Sequence, residues 1–192
     1  MNKGVSLVLV GASGVVGTKI IQLLEKREFP VDKFIPLGNS TVGSSIKFKN
    51  KEYRVSSLKE FSAEKGQFII FSAGSSIAEK YARKFVTEGC FVIDLSSNFR
   101  YQDDVPLVIP EINGEVLKNL SKPSLIANPN CSTAQLLMAL KPIHDQAEIK
   151  FLNIATYQAV SGTGKAALEE LHNQTYSSDS VSQSSIYPKQ IA

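Results

Sequence analysis

The chain has 192 residues, 43% hydrophobic and 20% charged, with 21 basic against 18 acidic residues and a formal net charge of +3. This is ordinary soluble globular composition, and the charges are spread along the chain rather than gathered into the basic stripe that a nucleic-acid surface needs. Two cysteines make neither a disulfide framework nor a metal cluster, and no run of 18 apolar residues offers a membrane span, so the expectation is a cytoplasmic protein with no metal, nucleic-acid or membrane partner.

In chain order, VSLVLV (5–10) reads as a buried strand, followed by a glycine loop and a helix through KIIQLLEKRE. KFIPLG (33–38) is a second strand, and IKFK and EYRV flank Asn50-Lys51 as a short hairpin. QFIIFS (67–72) is a further strand. SSIAEKYARKFVTEG follows as an amphipathic helix, with Ile77, Tyr81 and Phe85 on its apolar face and Gly89 as its stop. CFVIDLS (90–96), LVIP and SLIA read as strands, a helix starts at about Cys131, and IKFLNIATYQAV closes the series as a long strand. Apolar strands alternating with helices predict an α/β fold of the Rossmann type, a mostly parallel sheet covered on both faces. From Asn173 onward the composition changes, with six serines between 177 and 185, and predicts a loop or flexible tail.

The stretch VLVGASGVVGTKI carries the first chemistry. Gly11 permits a tight turn, Gly14 lets backbone approach a pyrophosphate, and Gly17 lets the helix pack against the strand. Free N–H groups at the helix start then favour the phosphates. The spacing is G-x-x-G-x-x-G rather than G-x-G-x-x-G, so the position in the first strand–loop–helix supports a dinucleotide more than the glycines alone do. After the second strand there is no acid to hold a free ribose 2′-hydroxyl, only Asn39, Ser40 and Thr41. That favours NADP over NAD, with a plain polar loop as the alternative.

NPNCST (128–133) places Cys131 at the mouth of a helix among polar neighbours. A thiol reacts as its thiolate, which a helix N-terminus favours, and Asn130 is placed to cap that helix. Local chemistry leaves the nucleophile and the small buried hydrophobe equally open for Cys131, whereas Cys90 in CFVID reads as core. In TYQAVSGTGKAALEEL, Gln158 ends an apolar run, and Gly162 and Gly164 form a second glycine turn, suited to a flat ligand or to a bare strand-to-helix turn. Neither His144 nor His172 pairs with Cys131 by motif.

Taken together and in order, VGASGVVG, FSAGSSIAEKYA, VIDLSSNFR, VPLVIPEIN, NPNCST and YQAVSGTG resemble the aspartate-semialdehyde dehydrogenases, and IYPKQIA looks like family sequence too. The resemblance implies that Cys131 attacks β-aspartyl phosphate, expels inorganic phosphate and forms a thioester, which hydride from NADPH reduces towards aspartate semialdehyde. This reaction belongs to the biosynthesis of lysine, methionine and threonine. The resemblance also implies that Asn130 and Gln158 orient the substrate, and that Arg100, with Asn98 in SSNFR, holds the transferred phosphate. It assigns Gly11, Ser13, Gly14, Val15 and Val16 to the phosphate loop, Ala73 and Gly74 to the next cofactor loop, and Ser161, Gly162 and Gly164 to the nicotinamide turn. Where the family often carries an arginine for the 2′-phosphate, this chain has Ser40, which leaves NAD open beside NADP. Family members are typically dimers or tetramers, so a homo-oligomer is implied.

The family runs well past Ala192, and its acid–base histidine and second substrate arginine lie in that later part. The expectation is a dinucleotide-binding domain over 1–127 and the opening of an α+β catalytic and dimerisation domain over 128–192, with little turnover by these residues alone. Two other readings stay open: an enzyme like the N-acetyl-glutamyl-phosphate reductases, which tend to have glycine where this chain has Asn130, and a non-catalytic dinucleotide-binding module.

Overall fold

The computed structural model describes residues 4–176 and 186–192. The chain divides into two compact units, Met1–Leu152 and Asn153–Ala192. The first begins with β1 (Val5–Val10), α1 (Val15–Lys26) and β2 (Val31–Gly38), continues through a hairpin of β3 (Ser45–Phe48) and β4 (Lys51–Arg54), and returns to the sheet as β5 (Ser56–Ser57). Then come β6 (Phe68–Phe71), α2 (Ser75–Thr87), β7 (Phe91–Asp94), the short helices α3 (Pro110–Asn113) and α4 (Glu115–Lys118), β8 (Leu125–Ala127) and α5 (Cys131–Ala147).

The main sheet has the order β5-β2-β1-β6-β7-β8, and every pair in it is parallel. The period-two alternation of a strand splits β1 between two cores. Val8 and Val10 join Leu37, Ile69, Phe71 and Val92 beneath Ala78, Ala82 and Phe85 of α2. Leu7 and Leu9 face the other way, with Ile21 of α1 and with Phe34 and Phe48, whose ring centroids lie 4.6 Å apart. The α2 face is thus centred on Ala78, Ala82 and Phe85, with Ile77 and Tyr81 at its margin: the small alanines let the helix approach the sheet closely. On the α1 side the cover is incomplete. Phe68, Ile70 and Ile93 line an open apolar cleft together with Leu23 and Phe29.

Three expected elements differ. The hairpin turn is Lys49-Asn50, one residue early, because Phe48 pairs with Lys51. Both turn residues have positive φ, 47° and 61°, as a two-residue turn matching strand twist requires. Lys49 is held there by its backbone N–H donating to Glu25 Oε1 (2.6 Å) and its ammonium donating to the Phe29 carbonyl (2.8 Å). LVIP makes only one isolated bridge, Leu107 to Ala127, before Pro110 opens α3, a position where a missing N–H costs nothing. Residues 149–159 form no strand: a strand exists only through a partner, and none of the described strands pairs with them.

The second unit consists of a 3-10 turn (Val160–Thr163), α6 (Lys165–Tyr176) and the segment 186–192. Its N-terminal boundary lies in the 149–159 stretch. The helix runs through NQTY, so the expected tail is helical as far as Tyr176, and the serine-rich stretch 177–185 lies outside the described residues. Glu170 Oε2 accepts from the Ile186 N–H at 2.7 Å, and Gln174 Oε1 accepts from that of Ile191 at 2.8 Å, which ties 186–192 to α6.

Candidate active site

Numbered among themselves, the sheet strands run 3-2-1-4-5-6, so the winding reverses between β1 and β6. A doubly wound sheet binds ligands in the crevice outside the carboxyl ends of its strands at that reversal. Gly11 leaves β1 there with φ +82°, and a Cβ on it would lie 2.8 Å from the Ser72 carbonyl oxygen at the end of β6. A Cβ on Gly17 would lie 2.2 Å from the Gly11 oxygen, so only glycine lets α1 sit this close to β1. Gly14 is the N-cap of α1, with no side chain closing the helix end. The first-turn N–H groups of Val15 and Val16, which lack carbonyl partners within the helix, are left for a ligand. This cradle fits a pyrophosphate.

Two more loops border the crevice. Ser13 Oγ and Thr41 Oγ1 lie 2.7 Å apart, which joins the glycine loop to the loop after β2, where Asn39 and Ser40 are exposed. On the β6 side, Ala73 and Gly74 are exposed, and Gly74 opens α2 with φ +87° and open space around it.

At the ends of β7 and β8 a second group forms. Asn130 caps α5, its Oδ1 accepting from the Ser132 N–H at 3.0 Å, and Cys131 is the exposed first residue of that helix. Arg100 Nε donates to the Asn128 carbonyl at 2.9 Å, and Nη2 donates to that of Leu95 at 3.1 Å. The guanidinium is therefore fastened to the segment three residues before the cysteine. Asn98 lies in the same turn, with its N–H on Ser96 Oγ at 3.2 Å.

Two residues in this group were not anticipated. Asp94 ends β7 fully buried: Oδ1 accepts from the Ser96 N–H (3.0 Å), Oδ2 accepts from Ser96 Oγ (2.7 Å), and its own carbonyl accepts from Asn128 N–H (2.8 Å). Burial pushes its carboxyl above the ordinary range, against the hydrogen bonds from Ser96 and the charge of Arg100. Relative to the unfolded chain, native packing thus holds the proton more tightly. Its stabilising effect is greatest below the ordinary carboxylate pKa and is lost as pH rises through the raised value, the reverse of a salt-bridged aspartate. Arg83 of α2 grips the far side of the loop, with Nη1 on Asp104 Oδ2 (2.8 Å), Nη2 on Oδ1 (2.9 Å), and the guanidinium over the Phe99 ring at 5.6 Å. The sequence did hold a signal for Asp94, a carboxylate closing an apolar strand just before two serines.

Gln158, Ser161, Gly162 and Gly164 belong to the second unit. There Gly164 takes φ +106°, and no atom lies within 4 Å of a Cβ built on Gly162 or Gly164, so backbone is open to a flat ligand. His144 stands thirteen residues along α5 from Cys131, about 20 Å at the helical rise, and lines an apolar groove with Leu137, Leu140 and Phe151. It is no base for that thiol. No helix of the described residues is long and apolar enough to cross a membrane.

A doubly wound dinucleotide-binding fold with a capped helix presenting a cysteine defines the class. A family model for the NAD-binding domain of semialdehyde dehydrogenases matches residues 6–120, and one for their dimerisation domain matches residues 140–191. The chain belongs to the semialdehyde dehydrogenase family. An aspartate-semialdehyde dehydrogenase of Shewanella violacea is 45% identical over all of this chain, which spans 58% of that relative's length. One from Aquifex aeolicus is 47% identical over 90% of the chain and 51% of its own length. Among solved structures, the aspartate semialdehyde dehydrogenase II of Vibrio cholerae complexed with ASA superimposes with a TM-score of 0.92 at 38% identity, covering all of this chain and 58% of that one. The enzyme of Candida albicans with NADP matches more distantly, with a TM-score of 0.57 at 25% identity, over 76% of this chain and 48% of that one.

Proposed function

We propose that this chain carries the cofactor cradle and the nucleophile for NADPH-dependent reduction of β-aspartyl phosphate to aspartate semialdehyde, in the cytoplasm and as part of a homo-oligomer. The observation that carries this reading is Cys131, exposed at the first position of a capped helix and flanked by the segment to which Arg100 is fastened. The Cys131 thiolate attacks the acyl carbon, the phosphate leaves with the bonding electrons, and an aspartyl thioester forms on sulfur. Arg100 stabilises the departing phosphate. Gly11, Ser13, Gly14, Val15 and Val16 would hold the pyrophosphate, with Ala73 and Gly74 beside it. Asn39, Ser40 and Thr41 would face the ribose 2′-phosphate, since no acid stands among them to repel it. When bound, the cofactor supplies a hydride. Ser161, Gly162 and Gly164 would seat its ring, and Gln158 and Asn130 would orient the acyl group. Three likenesses support these finer assignments: the match to a dimerisation model over 140–191, the Candida relative with its NADP, and the Vibrio relative with its ASA. We place the start of the catalytic domain at residue 128, with 1–127 as the cofactor domain.

The thioester is directly observable. Incubated with β-aspartyl phosphate without reductant, the protein is expected to gain one hydroxylamine-labile aspartyl group on Cys131 and none on fully buried Cys90, read by peptide mass spectrometry. Acylation elsewhere, or none, overturns the reading in favour of a non-catalytic module.

A further inference from the structure

Asp94 is a buried carboxylate that the reaction above leaves unused, and its surroundings give it a task. Its side chain holds both the N–H and the hydroxyl of Ser96, and Ser96 Oγ in turn accepts from the Asn98 N–H. Its carbonyl holds Asn128, whose own carbonyl accepts Arg100 Nε. Asp94 therefore anchors both stretches of backbone that fix the guanidinium, the one at Ser96 through its carboxylate and the one at Asn128 through its main-chain carbonyl. The Arg100 charge opposes the burial that raises the Asp94 carboxyl, with no direct hydrogen bond between the two side chains. The register partners of Asp94, Phe71 and Ala127, carry no charge, and Arg100 is the charge that bears on its carboxyl.

We propose that Asp94 is a positioning residue for Arg100: its carboxylate shapes the turn 95–100 through Ser96 and damps the field of the guanidinium towards a tetrahedral dianion. This rests on Arg100 being the phosphate-binding residue. The two effects have opposite signs and separate by substitution. Asparagine keeps both contacts to Ser96, accepting from its N–H and donating to its hydroxyl, but removes the charge. Alanine removes both and leaves two half-buried polar groups of Ser96 without that partner. Damping also matters for turnover, because a site that must release phosphate after each cycle works against an undamped guanidinium.

Sulfate tests this, since it keeps both charges where Asp94 titrates. Its affinity is followed through the Arg100 Nε–H resonance and by calorimetry. Asp94→Asn is expected to tighten sulfate about 3- to 10-fold at neutral pH, the size expected of one nearby screened charge. Asp94→Ala is expected to weaken it at least about 3-fold. In the unsubstituted protein, affinity rises as pH falls and Asp94 takes up its proton, and the excess of that rise over the Asp94→Asn profile reports Asp94 alone. Equal affinity and equal profiles for the unsubstituted and Asn proteins overturn the proposal, as does equal weakening by Asn and Ala, which would make Asp94 a structural brace only. If the alanine variant does not fold, the asparagine comparison decides by itself. Arg100→Lys and Arg100→Met test the underlying reading separately. Loss of sulfate binding in Arg100→Met with an indifferent Asp94→Asn sinks the proposal alone, and undiminished binding in Arg100→Met sinks the reading beneath it.

Discussion

Cys131→Ser, made in the protein at its full encoded length, is expected to lower phosphate-dependent oxidation of aspartate semialdehyde by at least about 10⁴-fold, the scale on which loss of a covalent nucleophile is felt. Serine is nearly isosteric, but its hydroxyl ionises far less readily than a thiol, and its oxygen ester is a poorer acyl donor to hydride than a thioester. The fold is expected to be indifferent, because the helix end is closed by Asn130 and not by the cysteine. Asn130→Ala supplies the contrast. It removes the cap bonds to Ser132 and costs about 1 kcal/mol of stability. Steady-state rates together with thermal unfolding separate the two. A Cys131→Ser protein retaining more than about a hundredth of the activity overturns the role given to the sulfur, since removal of the nucleophile itself leaves far less.

What the sequence disclosed follows a physical division. Gly11, Gly14 and Gly17 were legible because the constraint on each is local: a turn, an open helix end and a close approach are set by residues a few positions apart. Cys131 at a helix start was legible for the same reason, from Asn130 before it and the apolar run after it. LVIP and residues 149–160 were misread as strands because apolar content selects for burial, whereas a strand also requires a neighbour that composition does not supply. The hairpin slipped by one because Lys49 is an unusual residue at positive φ, and what holds it comes from Glu25 and Phe29, far away in sequence. Arg83 stayed hidden on the same ground, because its partner Asp104 lies far away in sequence. For Asp94 the bonds to Ser96 are local and their signal was there to be read, whereas its tie to Asn128 is made only in the folded chain.

Gly17→Ala is the second large effect expected, and it separates packing from ligand contact within one loop. The added methyl carbon would stand 2.2 Å from the Gly11 carbonyl oxygen and 2.8 Å from that of Ala12. Both neighbours are backbone, so neither can swing aside as a side chain would. Relief requires α1 to lift from β1, which opens the contact between Ile21 and the Leu7–Leu9 face. Overpacking of this kind costs about 3 kcal/mol or more. The same movement carries the first-turn N–H groups of α1 away from the crevice, so dinucleotide affinity is expected to fall at least about 10-fold, each 1.4 kcal/mol of lost interaction being tenfold. Gly14→Ala behaves otherwise. Its backbone sits at φ −75°, open to any residue, and its Cβ would meet only the Gly11 oxygen at 3.2 Å. Stability should therefore change little there, while a methyl group at the phosphate approach still weakens the dinucleotide. Denaturant unfolding and NADPH fluorescence titration of both variants check this. If Gly14→Ala proves as destabilising as Gly17→Ala, or if Gly17→Ala unfolds like the parent, the close approach of α1 to β1 is not what the third glycine secures.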